Sequence, residues 1–168
     1  NCTLSVNLSP DDDGIYVYLT DYDSGAKVDS ALVDNGVAKF NKSVTTPYYA
    51  RLLVEGQRIG DIFIEPAKIT VTPAERKFES NGSLNSSLEE MQNKLGAIVT
   101  EFRALPQDST SAERAEILSK RYDAILDSTM TANIDNALGY LLFISNAQNY
   151  DLAELDAALA KYPKFKDS

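Results

Sequence analysis

Asp21-Tyr22-Asp23-Ser24-Gly25 spaces two carboxylates and a glycine like the opening of a calcium loop. Calcium takes six to eight oxygen ligands, and such a loop closes with a bidentate glutamate at its twelfth position. Counted from Asp21, that position is Leu32. Ligand counting therefore assigns the stretch to a turn, where Asp, Ser and Gly are the usual residues. Asp11-Asp12-Asp13-Gly14 reads the same way, because three adjacent carboxylates do not face one ion. Glu89-Glu90 is no acid–base pair: consecutive helix positions point apart, and acidic residues near a helix start favour its dipole. The chain has no histidine and a single cysteine, Cys2. This removes Ser-His-Asp and Cys-His catalysis, the usual zinc sites, an internal disulfide and a CxxC redox pair. The glycines form neither GxGxxG nor GxxxxGK. No catalytic, cofactor-binding or metal-ligating residue is assigned, no cofactor is expected, and the chain as it stands is expected not to be an enzyme.

Charge narrows the partners. Sixteen basic against 25 acidic side chains give a formal net charge of −9. With no basic stripe to release counterions from a phosphate backbone, nucleic acid is not an expected partner, nor is an anionic membrane surface. No apolar run approaches the roughly 20 residues of a membrane span. The chain opens at Asn1-Cys2 with no initiating methionine or signal peptide, so the expected form is mature or trimmed. Cys2 follows a residue unsuited to a lipidation site and runs straight into a strand, so any lipid anchor is expected upstream.

The elements that hold these residues change character near Gly82. Before it, glycines and prolines punctuate short runs of strand formers: Ile15–Leu19, Val28–Val33, Val37–Phe40, Tyr48–Val54, Arg58–Glu65 and Lys68–Thr72. Asp34-Asn35-Gly36 is a hairpin signal, because Asn-Gly tolerates positive φ at both central positions. Regular short strands predict a small antiparallel β-sandwich or open barrel over residues 1–82. After Gly82 the apolar residues Leu84, Leu88, Met91, Leu95, Ile98, Phe102 and Leu105 recur in steps of four and three, the stripe of a long helix. Ser87 with Glu90, Thr110 with Glu113, and Asp151 with Glu154 are spaced as capping boxes. Ala115, Leu118, Tyr122 and Ile125 form a second stripe; a helix over residues 136–147 follows. Leu152, Leu155, Leu159 and Tyr162 form the last stripe. The fold class is thus α+β, with a helical segment of three to four helices over residues 83–168.

In this order the chain resembles a known family, the domain of unknown function at the N-terminus of thioredoxin-fold (AhpC/TSA-type or TlpA-like) cell-envelope lipoproteins of Bacteroidetes. The resemblance rests on TLSVNL (3–8), IYVYL (15–19), KVDSALVDNGVAKF (27–40), TPYYARLLV (46–54) and DIFIEPAKITV (61–71). It continues through Asn81-Gly82-Ser83-Leu84-Asn85 and through the segment from Asn133 to Phe143, where Ala137 replaces the family's usual proline. The closing KYPKFKDS resembles the family's link to its thioredoxin domain; the sequence stops at Ser168, and either a longer gene product carries that domain or the protein lacks it.

The resemblance implies a non-catalytic, extracytoplasmic accessory module of a thioredoxin-family lipoprotein, located in the periplasm or held at the outer membrane. Its role would be spacer, docking face or dimerisation surface, with a C-terminal thioredoxin-fold domain or protein substrates as partners and a homodimer as a further expectation. Membrane contact would come only through the upstream anchor. The alternative is a free-standing envelope binding protein for a glycan, peptide or small molecule, with Tyr16, Tyr18, Tyr48 and Tyr49 as candidate contacts. Asp29-Ser30-Ala31, Asp108-Ser109-Thr110 and Asp127-Ser128-Thr129 resemble the O-glycosylation signal of that phylum; Asn1, Asn7, Asn41, Asn81 and Asn85 stand in Asn-x-Ser/Thr.

Overall fold

The computed structural model describes residues 1–166 of the chain, so the end of KYPKFKDS, Asp167 and Ser168, lies outside the described residues. Eight strands precede four helices, an α+β fold. The strands are β1 (Cys2–Asn7), β2 (Tyr16–Asp21), β3 (Lys27–Leu32), β4 (Val37–Lys42), β5 (Tyr48–Val54), β6 (Gln57–Ile64), β7 (Lys68–Thr72) and β8 (Lys77–Ser80). They form two four-stranded sheets, ordered β4-β1-β7-β8 and β3-β2-β5-β6. All pairs are antiparallel except β1 with β7, which run parallel. β8 is the strand that sequence periodicity misses. It is four residues long, mostly exposed, and exists because Arg76, at φ 51°, turns the chain back along β7.

Strand periodicity builds the core. Leu4 and Val6 of β1, Val17 and Leu19 of β2, and Phe40 of β4 alternate with outward residues. Ala50, Leu52, Ile62, Ile64, Ile69 and Val71 complete one cluster between the two sheets.

The Asp34–Val37 turn corrects one expectation. Asn35 and Gly36 do take positive φ, 52° and 78°, and Asp34 and Val37 exchange both backbone hydrogen bonds. The ladder then stops at that single bridge, because β3 pairs with β2 and β4 with β1. The turn is a corner between sheets rather than a hairpin. The two-residue hairpin lies at Glu55-Gly56, also at positive φ, where β5 and β6 stay paired from Val54↔Gln57 to Tyr48↔Ile64.

The chain divides into two compact units, Asn1–Ser86 and a second beginning at Ser87. The divide falls inside α1 (Ser83–Arg103), whose first turn is bonded to the end of β6. From Leu84 to Ile98 the stripe of α1 is buried, whereas Phe102 is exposed. In the second unit, α2 (Ala112–Ala132), α3 (Ala137–Ala147) and α4 (Leu152–Lys161) bury Leu118, Met130, Leu138, Leu142 and Phe143. Phe165 stacks on Phe143 with ring centroids 4.6 Å apart. Of the three capping boxes, the one at Asp151 and Glu154 forms. Ser87 lies inside α1, and α2 is preceded by a short turn capped by Asp108 instead of Thr110. Leu152 also leaves its expected stripe: as the first residue of α4 it is exposed. No described helix is long and apolar enough to cross a membrane.

Candidate functional site

Most of the carboxylates that sequence reasoning weighed for chemistry serve the fold. Asp21 Oδ1 accepts from the Asp23 and Ser24 backbone N–H groups (3.0 and 2.9 Å) and from the Ser24 hydroxyl, closing the β2–β3 turn. Asp12 pairs with Ser9 in a capping box, and Asp13 accepts from the backbone N–H of Gly36 (2.8 Å) and Asn35 (3.2 Å). One acidic loop thereby buttresses the corner between the sheets. Glu90 pairs with Lys94 along α1. The Cys2 thiol is buried in β1, and burial pushes it above the ordinary thiol range, away from the thiolate form that reacts.

A cluster that sequence reasoning missed surrounds Glu65, the one charged residue in the apolar run closing β6. Glu65 is buried, and its oxygens accept from the backbone N–H of Leu84 (3.0 Å) and Asn85 (2.9 Å) and from the Asn85 amide (2.9 Å). The first N–H groups of a helix have no partner within it, so Glu65, one residue past β6, caps α1 from nearly twenty residues away. Asn85 also holds both backbone groups of Phe63, as a neighbouring strand would. This leaves the Asn85 amide engaged within the fold. Gly82 makes the approach possible, since a Cβ there would lie 2.3 Å from the Glu65 carboxyl carbon. The signal in the sequence was a lone carboxylate after Ile62-Phe63-Ile64, with Gly82 and Asn85 in a second quoted phrase. The interaction between the two phrases was not legible.

What remains open is the outer face of the second sheet. Alternation turns Tyr16, Tyr18 and Thr20 of β2 and Tyr49, Arg51 and Leu53 of β5 away from the core. Register aligns Tyr16 with Leu32, Tyr18 with Leu53, Arg51 with Asp61, and Tyr49 with Phe63. Tyr16 and Leu32 are each 48% exposed and Tyr22 is 39% exposed. Of the four candidate tyrosines, the structure places Tyr16, Tyr18 and Tyr49 on this face. Tyr48 turns inward against the core, and Tyr22, just past β2, takes its place. Tyr22, Tyr49 and Phe63 form a run of rings with centroids 4.9 and 4.7 Å apart. The Arg51 guanidinium lies 5.3 Å from the Tyr22 ring and, with Arg58, holds the Asp61 carboxylate. Burial, helped by the Asp61 charge, pushes the Tyr49 phenol up to about 12.

The helical unit has an open cleft beside α2 and α4, lined by Met130, Tyr150 and Ala157 among others. At its wall Asp127 accepts from the Tyr162 hydroxyl and from Lys161 (2.9 Å). Both hold the Asp127 carboxyl below the usual range. Among the described residues, no group of three metal-ligating side chains occurs.

No curated protein and no solved structure matches the chain. A domain of unknown function, DUF4369, matches residues 2–99, more than half of the chain. That span carries both sheets, the Glu65–Asn85 clamp and the tyrosine face, and the chain belongs to the DUF4369 family.

Proposed function

We propose that this chain is a non-catalytic docking module of the bacterial cell envelope, the accessory part of a thioredoxin-family lipoprotein. In this reading the module stands between an upstream lipid anchor and a thioredoxin-fold domain, and the outer face of the second sheet receives a protein partner. The observation that carries it is one sheet face with exposed aromatic and apolar side chains at both ends, Tyr16 beside Leu32 at one and Tyr22 at the other, and half-buried Tyr18 and Leu53 between them. Aromatic residues are enriched at the centres of protein interfaces, and exposed apolar patches mark interaction sites. The burial of Cys2 and the engagement of Glu65 and Asp21 within the fold agree with a role outside catalysis.

The test is site-specific photo-crosslinking in the full-length protein in its native cells. A crosslinker replacing Tyr16 is expected to trap one defined protein, whereas the same group replacing Lys39, exposed on the other sheet, traps none. Equal crosslinking at both positions, or none at either, refutes the reading. A second reading, a free-standing binding protein for a glycan, peptide or small molecule, draws on the same tyrosines. Tyr16 and Tyr18 have ring centroids 6.3 Å apart on one face. Thermal shift against glycan and peptide libraries tests it, because a ligand that binds the native state raises stability.

A further inference from the structure

The tyrosine face has a charged centre that apolar docking does not explain. Asp61 lies in the middle of β6 with its side chain only 6% exposed, and two arginines converge on it. Arg51 approaches through Nε (2.9 Å) and Nη2 (3.5 Å), and Arg58 through Nε (3.1 Å) and Nη2 (2.8 Å). Each guanidinium has five N–H donors in a planar fork, whereas one carboxylate offers about four lone-pair sites. Asp61 therefore orients both forks without saturating them. Two cations against one anion make this spot net positive on a chain whose formal charge is −9.

Location separates this from an ordinary surface ion pair. The Arg51 guanidinium packs over Tyr22, which limits its rotamers, and Tyr22 and Tyr49 form an apolar floor beside it, backed by the buried Phe63 ring. Leu53 and Tyr18 lie across the strands on the other side. A fixed guanidinium pair next to an aromatic floor is suited to a carboxylate whose neighbour is apolar.

We propose that Arg51 and Arg58, oriented by Asp61, form the anchor for an acidic peptide segment, an Asp or Glu side chain flanked by an apolar residue that lies on Tyr22 and Tyr49. The proposal rests on the docking reading above and names the chemistry of the partner. A peptide fits better than an acidic glycan because the surroundings are apolar and the Thr20 hydroxyl is already bonded to the Arg51 carbonyl. Elsewhere the negative charge of the chain repels such a segment, so the anchor also sets where it lands.

Fluorescence anisotropy of the full chain tests this with a labelled peptide of alternating glutamate and phenylalanine, its glutamine counterpart, and oligogalacturonate. The glutamate peptide is expected to bind and to weaken as salt is added. Replacing its glutamates by glutamine, or Arg58→Gln in the protein, is expected to weaken binding at least about tenfold, the scale of one charge-assisted contact. Arg58 is the position to change because it is the more exposed fork, and Asp61 keeps Arg51 when it is lost. Arg58→Lys, which keeps the charge but not the fork, is expected to fall between the two proteins. Equal binding of the glutamine peptide, no effect of Arg58→Gln, no binding by the unaltered chain, or binding of oligogalacturonate alone overturns the proposal. Crosslinking at Tyr16 that survives Arg58→Gln likewise removes the anchor while leaving the docking reading in place. Loss of the Tyr16 crosslink with peptide binding intact does the reverse.

Discussion

Glu65 and Gly82 act as one device. The carboxylate reaches the first turn of α1 because position 82 has no Cβ, and the helix start is fixed because the carboxylate takes its free N–H groups. Glu65→Ala removes the cap, leaves the buried Leu84 N–H without its acceptor and takes one of two acceptors from the half-buried Asn85 amide. Losing a helix cap costs about 1 kcal/mol, and leaving a buried polar group unsatisfied about 1–3 kcal/mol. Urea denaturation is expected to show a loss of about 2–3 kcal/mol on that footing. Gly82→Ala is expected to destabilise by about 1–3 kcal/mol, as overpacking does, because the added carbon meets the carboxyl group itself. A Gly82→Ala protein as stable as the original would show that the approach is not tight. None of this was legible residue by residue. A single glutamate in an apolar run signals that something must satisfy it, but the donors lie beyond β7 and β8 in the sequence.

Local chemistry was legible at the scale of elements, and partner choice was not. Asn35-Gly36 and Glu55-Gly56 adopt nearly the same positive φ values, and turn chemistry predicts this from sequence for Asn35-Gly36. One continues as a hairpin and the other switches sheets. The difference is set by β1, which takes β4 in a six-residue ladder before β3 can extend its single bridge. Asp13 holds that corner from the neighbouring loop, so Asp13→Ala is expected to loosen it without touching the Glu55-Gly56 hairpin. Hydrogen bonds to a charged group contribute about 1.5–3 kcal/mol where buried, and solvent around this exposed loop reduces that to about 1 kcal/mol. Amide hydrogen exchange is the measurement: protection should fall at Asn35, Gly36 and Val37 and stay unchanged at Gln57. A uniform fall across both turns would contradict the assignment. Helices were read more completely than strands because an apolar stripe is a local signal, whereas β8 depends on β7 for its existence.

Tyr49 in the first unit and Asp127 in the second are shifted in opposite directions, and each makes its own contribution to stability depend on pH with the opposite sign. Burial raises Tyr49 from 10 to about 12, so the folded sandwich favours the neutral phenol. A group whose folded pKa is raised contributes stability that is fully present below the unfolded value and is lost as pH rises through the folded one. For Tyr49 that contribution is intact below about 10 and disappears between about 10 and about 12. Asp127 has the opposite sign. Its carboxyl is lowered by Tyr162 first and Lys161 second, so its contribution is present above the ordinary carboxylate value and is lost as pH falls through the lowered one. The effect is modest, because Asp127 and Lys161 are both well exposed. Base is therefore expected to open the β unit first, and acid to loosen the α2–α4 region. Tyrosinate absorbance reads the first event, and amide exchange resolved to α2 and α4 reads the second. Tyr49→Phe keeps the ring on Phe63 and removes the proton, so it should abolish the alkaline loss attributed to this residue and leave the acid limb unchanged. Asp127→Asn should remove the acid-dependent component in the helices and, because Asp127 adds to burial in raising Tyr162, bring ionisation of that phenol to lower pH, while leaving the alkaline limb of the β unit as it was. If Tyr49→Phe moves the acid limb of the helices, or Asp127→Asn moves the alkaline limb of the β unit, the two titrations are not separable by unit and the assignment of signs to Tyr49 and Asp127 fails.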